Sequence, residues 1–426
     1  MRNTFQRRHS LWHERILFSG YFQFLLGVLF VTLLPLWQFV FFNHSGKLSD
    51  SLYINTLLSE VTCFCLAFII IRQIRHFPGA QQSVVYILPL LAIIWLVIVS
   101  GMSYLRIEYI RQPLLISYIF ANIWSVTAFY IRKRFRAPKL ALVPLGRAES
   151  LSINPELQLH TLYAPDLQGR RYDAIVADLH FDQIPAVWEK FLAKCTLSNI
   201  PVFHYRQIEE MLTGRVSIGH MAENDIGTLT PSPMYSIMKR FFDAILVFIL
   251  IPLILPVVIV TGLLIKLDSK GPVFFIQERI GYRGKLFNVY KFRSMHVDIE
   301  GEGYTNENND PRITDIGRII RKYRIDELPQ LVNVLKGEMS FIGPRPESKE
   351  LAEWYEDMIP FFSYRHVVRP GISGWAQVNQ GYTADLKGME KKLQYDFYYI
   401  KHFSIWLDVL IFFKTIRTVL TGFGAR

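Results

Sequence analysis

The sequence predicts a multi-domain membrane protein: a four-helix transmembrane bundle, a small α/β domain, and an α-rich C-terminal domain with a re-entrant membrane hairpin and interfacial amphipathic helices. Three observations lead there. Of 426 residues, a length that can hold two or three domains, 51% are hydrophobic, concentrated in four blocks before residue 132 and one near residue 250. Lysine and arginine are distributed unevenly among the segments between those blocks. The last part of the chain repeats short motifs of carboxylates and arginines framed by glycine and proline.

A hydrocarbon core about 30 Å thick takes about 20 apolar residues as helix. Residues 16–42, 52–71, 84–104 and 113–131 all qualify, so 1–136 reads as four transmembrane helices. The first is too long and too richly flanked by arginine to be a cleaved signal. Arg2, Arg7, Arg8, Arg15, Arg72, Arg75, Arg132, Lys133, Arg134, Arg136 and Lys139 lie on one side of these helices; Lys47, Arg106 and Arg111 lie on the other. Eleven against three places the N-terminus and everything after residue 131 in the cytoplasm. Cys63 and Cys65 fall inside a membrane segment and Cys195 stands alone, which excludes a disulfide framework. Topology and anionic lipid account for the net charge of +11. No basic-aromatic recognition module appears, so nucleic acid is not an expected partner.

Residues 137–230 change character. Short apolar runs at 141–145, 157–163, 172–180 and 200–205 read as strands, with a helix over 185–197 between the last two, giving a mostly parallel Rossmann-like α/β domain. The first strand is followed by Pro144-Leu145-Gly146-Arg147, which lacks the glycine fingerprint for a pyrophosphate, so the domain is degenerate. A Gly/Thr/Pro/Ser-rich linker over 227–236 closes it.

The C-terminal domain, 231–426, opens on an apolar block long enough to span. Pro252 and Pro256 sit in its middle, each removing a backbone donor. Lys239 and Arg240 before it and Lys266 after it put both ends on the cytoplasmic side. These features describe a re-entrant hairpin over 238–267; a kinked spanning helix is the alternative on segment physics alone. The final apolar stretch, 403–420, mixes Trp406, Leu410, Phe413 and Ile416 with Asp408, Lys414 and Arg417. It reads as an interfacial amphipathic helix, with a buried core helix as the ordinary alternative.

Asp326 and Glu327 are the leading candidates for chemistry. Neighbours on a helix point about 100° apart, so they do not form a facing acid–base pair. Pro329 is tolerated only in a first turn, which starts the helix near Asp326, where the helix dipole favours ionised carboxylates. One carboxylate is then free as nucleophile, the other as metal ligand or orienter; plain helix capping is the bland reading. Lys291 and Arg293 in YKFRSM, Arg321 upstream of the pair, Arg345 in GPRPE and Arg369 before Pro370-Gly371 recur in tight turns. Each alone reads as a solvated charge or salt-bridge partner. Together they suit a diphosphate with Mg²⁺, the carboxylates Asp326 and Glu327 being the metal ligands.

The series KFRSM, DELPQL-NVLKGEMS-IGPRP and RPGISGWAQVN resembles the bacterial sugar transferase family, the polyprenyl-phosphate sugar-1-phosphate transferases that begin exopolysaccharide, O-antigen and capsule assembly. The motif resemblance covers about residues 236–426; the four spans and degenerate Rossmann-like domain resemble the large members in architecture. It implies an enzyme of the inner membrane, catalytic on the cytoplasmic face, that moves a hexose 1-phosphate from a UDP-sugar to undecaprenyl phosphate and releases UMP. Asp326 is then the nucleophile of a covalent phosphosugar intermediate with Glu327 beside it, Mg²⁺ is bound near the dyad, Arg345 holds phosphate, and Lys291 and Arg321 are further site residues. The resemblance also favours the hairpin, with Pro256 at its break but Leu255 where the family has serine. Tyr323-Arg324-Ile325 replaces a commoner small polar run. Family membership points to glucose or galactose as the sugar. A homodimer is admitted, with oligomeric state left open.

Two other function classes compete. A membrane-embedded scaffold or sensor would show no turnover with any UDP-sugar and stable complexes with assembly proteins. A nucleotide-sugar epimerase or dehydratase would need the glycine-rich loop that the first strand of the α/β domain lacks.

Overall fold

The computed structural model describes residues 12, 16, 19–42, 50–78, 84, 86–135, 138–153, 159–218, 230–297, 310–381 and 385–421. The chain divides into two compact units, Met1–Gly214 and Arg215–Arg426. The expected linker over 227–236 falls partly outside the described residues.

In the first unit, α1 (Gly20–Val28) passes through a π-helical turn, Leu29–Leu33, into α2 (Leu34–Phe42). Pro35 lacks a backbone donor and crowds the carbonyl one turn back, and a widened turn relieves both. Next come α3 (Asp50–Ile74), α4 (Ile87–Tyr104) and α5 (Arg111–Phe135). All four apolar blocks are long and apolar enough to cross a membrane. Gly27 marks a close approach between them, since a Cβ there would come within 2.3 Å of Phe64.

The same unit holds an all-parallel sheet in the order β2-β1-β3-β4: β1 (Leu140–Leu142), β2 (Leu159–Thr161), β3 (Ala174–Ala177) and β4 (Val202–His204). β2, β3 and β4 lie within the expected runs, β1 starts one residue ahead of its run, and α6 (Ala186–Leu197) lies within the expected helix. Strand residues alternate between two cores. Ala141, Ile175 and Ala177 face Phe191, Leu192 and Cys195 of α6. Leu140, Leu142, Ala174 and Val176 face Tyr205 and Ile208 of α7 (Tyr205–Thr213), a helix the sequence reading did not anticipate. His204 caps it by accepting from Arg206 N–H, a cap that apolar periodicity does not reveal.

The second unit begins with α8 (Pro233–Asp268), capped by Ser232. Pro252 and Pro256 lie inside it, each removing one N–H from the ladder, and helical turns continue on both sides of them. Only 11% of its apolar window is buried. Both its ends nevertheless pack onto the unit. Near the start, Arg240 donates to the carbonyls of Val334 and Leu335, and Val247 joins Phe287, Val289 and Val334. Near the end, Ile265 joins Phe292 and Ile320, and Asp268 accepts from Ile316 N–H at 3.4 Å.

A hairpin follows, β5 (Phe274–Ile280) against β6 (Leu286–Phe292). After α9 (Asp315–Lys322) come a 3₁₀ turn, Ile325–Gln330, and α10 (Leu331–Lys336). Strand β7 (Ser340–Ile342) pairs in parallel with β8 (Gly371–Ser373), with α11 (Lys349–Met358) between them. The chain then forms α12 (Trp375–Asn379), α13 (Leu386–Lys401) and α14 (Ile405–Thr421). Leu407, Leu410, Ile411 and Phe413 bury the inner face of α14, as in a core helix, while Phe412 and Ile416 stay outside. Its Asp408 is also buried, accepting from Tyr399 at 2.9 Å and Tyr235 at 2.6 Å and pairing with Lys239.

Candidate active site

The carboxylate pair stands where the chain reverses out of α9. Arg324, with φ 58° and ψ 23°, occupies the left-handed region, and the next residues start the 3₁₀ turn with Asp326 and Glu327 in its first turn. The turn runs on into α10, so the helix starts beside Asp326 as the position of Pro329 predicts. Asn333 fastens this helix to the hairpin: its side-chain oxygen accepts from Tyr290 N–H, and its amide donates to the Asn288 carbonyl and to Glu338, both at 2.7 Å. That linkage fixes Lys291, next in β6, relative to the dyad.

The GPRPE and RPGISG motifs are two backbones in direct contact. Gly343 N–H donates to the Ser373 carbonyl at 2.8 Å, and Gly371 N–H to that of Pro344 at 2.9 Å. A Cβ on Gly371 would lie 2.1 Å from Gly343 N, and one on Gly343 2.3 Å from the Arg369 carbonyl. Only glycine permits that approach. It sets Arg345 at a fixed height over the dyad.

Arg345 donates to Glu327 Oε1 at 2.6 Å, and Arg324 reaches the same oxygen at 3.4 Å. Burial pushes the Glu327 carboxyl up, but Arg345 and Lys291 outweigh it and hold it well below the ordinary range. Asp326 behaves oppositely. Burial and then the charge of Glu327 push it up to about 6, against the pull of Lys291, Arg324 and Arg345. Its Oδ1 is buried with no hydrogen-bond partner among the described residues. Burial, then Arg345 and Arg279, bring Lys291 down to about 7. The pair is thus divided: Glu327 is locked by arginine, while Asp326 keeps a basic oxygen free of donors.

A second layer supports the first. Arg365, 2% exposed, donates to the Arg345 carbonyl at 2.9 Å, to Asp396 at 2.7 Å and to Glu347 at 3.4 Å. Lys392 also pairs with Glu347, and the two cations hold that carboxyl low against burial. Arg279 donates to the Pro346 carbonyl and to Gln277. The sequence reading gave no role to Arg279, Arg365 and Asp396, lone charges whose partners are distant in sequence; it noted Arg324 only within the Tyr323-Arg324-Ile325 run before the dyad, and Glu347 only as the last residue of GPRPE.

Of the remaining arginines, Arg321 is half-buried and feels the charges of Asp326 and Asp310. Arg293 is elsewhere engaged, donating to the Ser269 and Lys270 carbonyls and so closing the turn after α8. Arg369 donates to the Gly337 carbonyl at 3.1 Å and lies 4.9 Å from the Tyr282 ring centroid. In the first unit, Asp178, His180 and His204 cluster at strand ends. Asp178 accepts from the N–H groups of Arg147 and His180, and His204 Nδ1 from that of Arg206. His204 Nε2 lies 3.3 Å from Asp178 Oδ1.

The family profile described as bacterial sugar transferase matches residues 234–422. The UDP-N-acetylgalactosamine-undecaprenyl-phosphate N-acetylgalactosaminephosphotransferase of Aeromonas hydrophila is 47% identical over 427 residues, covering 99% of this chain and 100% of its own. The UDP-glucose:undecaprenyl-phosphate glucose-1-phosphate transferase of Escherichia coli (strain K12) is 44% identical over 42% of this chain and 39% of its own. The enzyme of the same name from Caulobacter vibrioides is 38% identical, over 45% and 73%.

Proposed function

The chain belongs to the bacterial sugar transferase family, and from that premise we propose that it transfers N-acetylgalactosamine 1-phosphate from its UDP-sugar to undecaprenyl phosphate. The expectation of glucose or galactose gives way to the amino sugar because the relative aligned end to end is named for it, while the glucose-named relatives above share less than half of this chain. The product would start a polysaccharide repeat unit.

An Asp326 oxygen attacks the sugar-bearing phosphorus. A carboxylate–phosphorus bond forms, the bond from that phosphorus to the bridging oxygen breaks, and UMP leaves with the electron pair. An oxygen of undecaprenyl phosphate then attacks the same phosphorus, the acyl phosphate bond breaks, and the Asp326 carboxylate returns. The observation that carries this reading is the division of the dyad: Asp326, raised to about 6, is ionised at neutral pH yet more basic than an ordinary aspartate, while Glu327 is held by Arg345. Arg345, Lys291 and Arg321 oppose the charge that builds on the diphosphate. Mg²⁺ fits the donor set, because both side chains offer only oxygen and Asp326 Oδ1 is buried without a partner among the described residues. Asp326 and Glu327 would hold the ion, which when bound withdraws charge from phosphate oxygens.

The reading places the first four apolar helices across the bacterial inner membrane as a bundle and the second unit on its cytoplasmic face. Helix α8 would enter the bilayer and return as a hairpin bent at Pro252 and Pro256. A straight span carries its last turns away from the body holding its first, whereas both ends of α8 pack on one unit. Cysteines placed at Ser269 and Lys285 should resist an impermeant reagent on intact cells; labelling of either contradicts the hairpin.

Release of UMP across a panel of UDP-sugars tests the activity. UDP-N-acetylgalactosamine should be the best donor and Asp326→Asn inactive. Undiminished turnover by that variant would remove Asp326 from its role.

A further inference from the structure

We propose that Arg324 is a ligand for the donor's diphosphate, a residue of this chain's own that the family motifs do not assign; the inference rests on the transferase reading above. Its backbone is held at φ 58°, a region that residues bearing a side chain avoid. The turn from α9 into the 3₁₀ helix needs that conformation, and glycine would supply it without strain. The backbone conformation alone therefore does not call for arginine. Strained residues of this kind gather at ligand sites, where the side chain has a use the backbone does not explain.

The position of the guanidinium indicates that use. Arg324 Nη1 lies 3.4 Å from Glu327 Oε1, the oxygen that Arg345 already engages at 2.6 Å. A carboxylate held at short range by one arginine gains little from a second at long range. The Arg324 side chain is 33% exposed against 6% for Glu327, so it bridges the buried dyad and the solvent from which a nucleotide arrives. Phosphate oxygens are stronger acceptors for a guanidinium fork than a shared carboxylate oxygen at 3.4 Å. On donor binding, Arg324 exchanges its long contact to Glu327 for the diphosphate and neutralises charge beside the phosphorus that Asp326 attacks.

Two variants of the full chain in detergent or nanodiscs test this. Arg324→Gly should raise KM for UDP-N-acetylgalactosamine about 10- to 100-fold while melting no lower than the parent, because glycine relieves the left-handed strain. Arg324→Lys should recover part of the affinity. A parental KM in Arg324→Gly overturns the proposal, as does a fall in melting temperature together with activity that lysine does not restore, which would mark a structural role. Should the parent turn over no UDP-sugar, the transferase reading fails instead. Direct binding of UDP then decides: tighter binding by the parent than by Arg324→Gly supports the assignment, and equal binding overturns it.

Discussion

Arg345 and Glu327, 18 positions apart in the chain, meet at 2.6 Å and join the GPRP turn to the carboxylate pair. Two roles converge on that contact: it keeps Glu327 ionised, and it sets a guanidinium beside Asp326. Removing the fork by Arg345→Ala should lower kcat for UMP release about 10²- to 10³-fold. Arg345→Lys should recover little, since an ammonium cannot reproduce a planar fork. Activity within about threefold of the parent, on the scale of a weak surface contact, would remove Arg345 from the site.

Gly371 and Gly343 face each other with no room for a methyl group. Gly371→Ala should destabilise the second unit by about 1–3 kcal/mol through forced separation of the two turns, and activity should fall with it because Arg345 shifts. Gly101, whose added Cβ would meet nothing within 4 Å, is the control. Melting of Gly101→Ala should match or exceed that of the parent, since alanine is the better helix residue. Equal melting of both variants would contradict the packing account.

Arg365 lies at the centre of a buried network with Asp396 and Glu347. Arg365→Met strands Asp396 and should cost about 3–5 kcal/mol. Pairing it with Asp396→Leu removes the stranded charge, while Glu347 keeps Lys392. The double variant should therefore be more stable than the single one. A double variant that is less stable would show that the loss comes from packing rather than charge.

Burial, aided by the charge of Arg365, lowers the pKa of His366 from 6.5 to about 3. The folded state thus holds His366 neutral while the unfolded chain protonates it below pH 6.5. Its contribution to stability is intact above 6.5 and is lost as pH falls toward 3. Between pH 7 and 5.5 the parent should lose about 1 kcal/mol more than His366→Gln. Denaturant titrations at the two pH values measure the difference, and parallel losses would contradict it.

Much of the fold is legible in the sequence because its signals are local. Apolar length gives the four N-terminal helices, and turn-bounded apolar runs give β1 to β4 and α6. Pro329 locates the helix start at the dyad. Other features rest on partners far along the chain. Arg293 has the look of a phosphate ligand in YKFRSM, but Ser269 and Lys270 engage it. Asp408 has the look of a solvated charge on an amphipathic helix, but Lys239, Tyr235 and Tyr399 bury it. Arg365 gives no local signal, since Glu347 and Asp396 lie 18 and 31 residues away. The second layer of a site is written in such pairs, which motif spacing does not encode.

The central claim is that Asp326 carries the phosphosugar. Donor labelled in its sugar-bearing phosphate, mixed with the parent enzyme and no lipid acceptor, should leave label on a peptide containing Asp326, and adding undecaprenyl phosphate should discharge it into lipid. Labelled lipid forming from an enzyme that never carries label, or label retained by Asp326→Asn, would contradict the account.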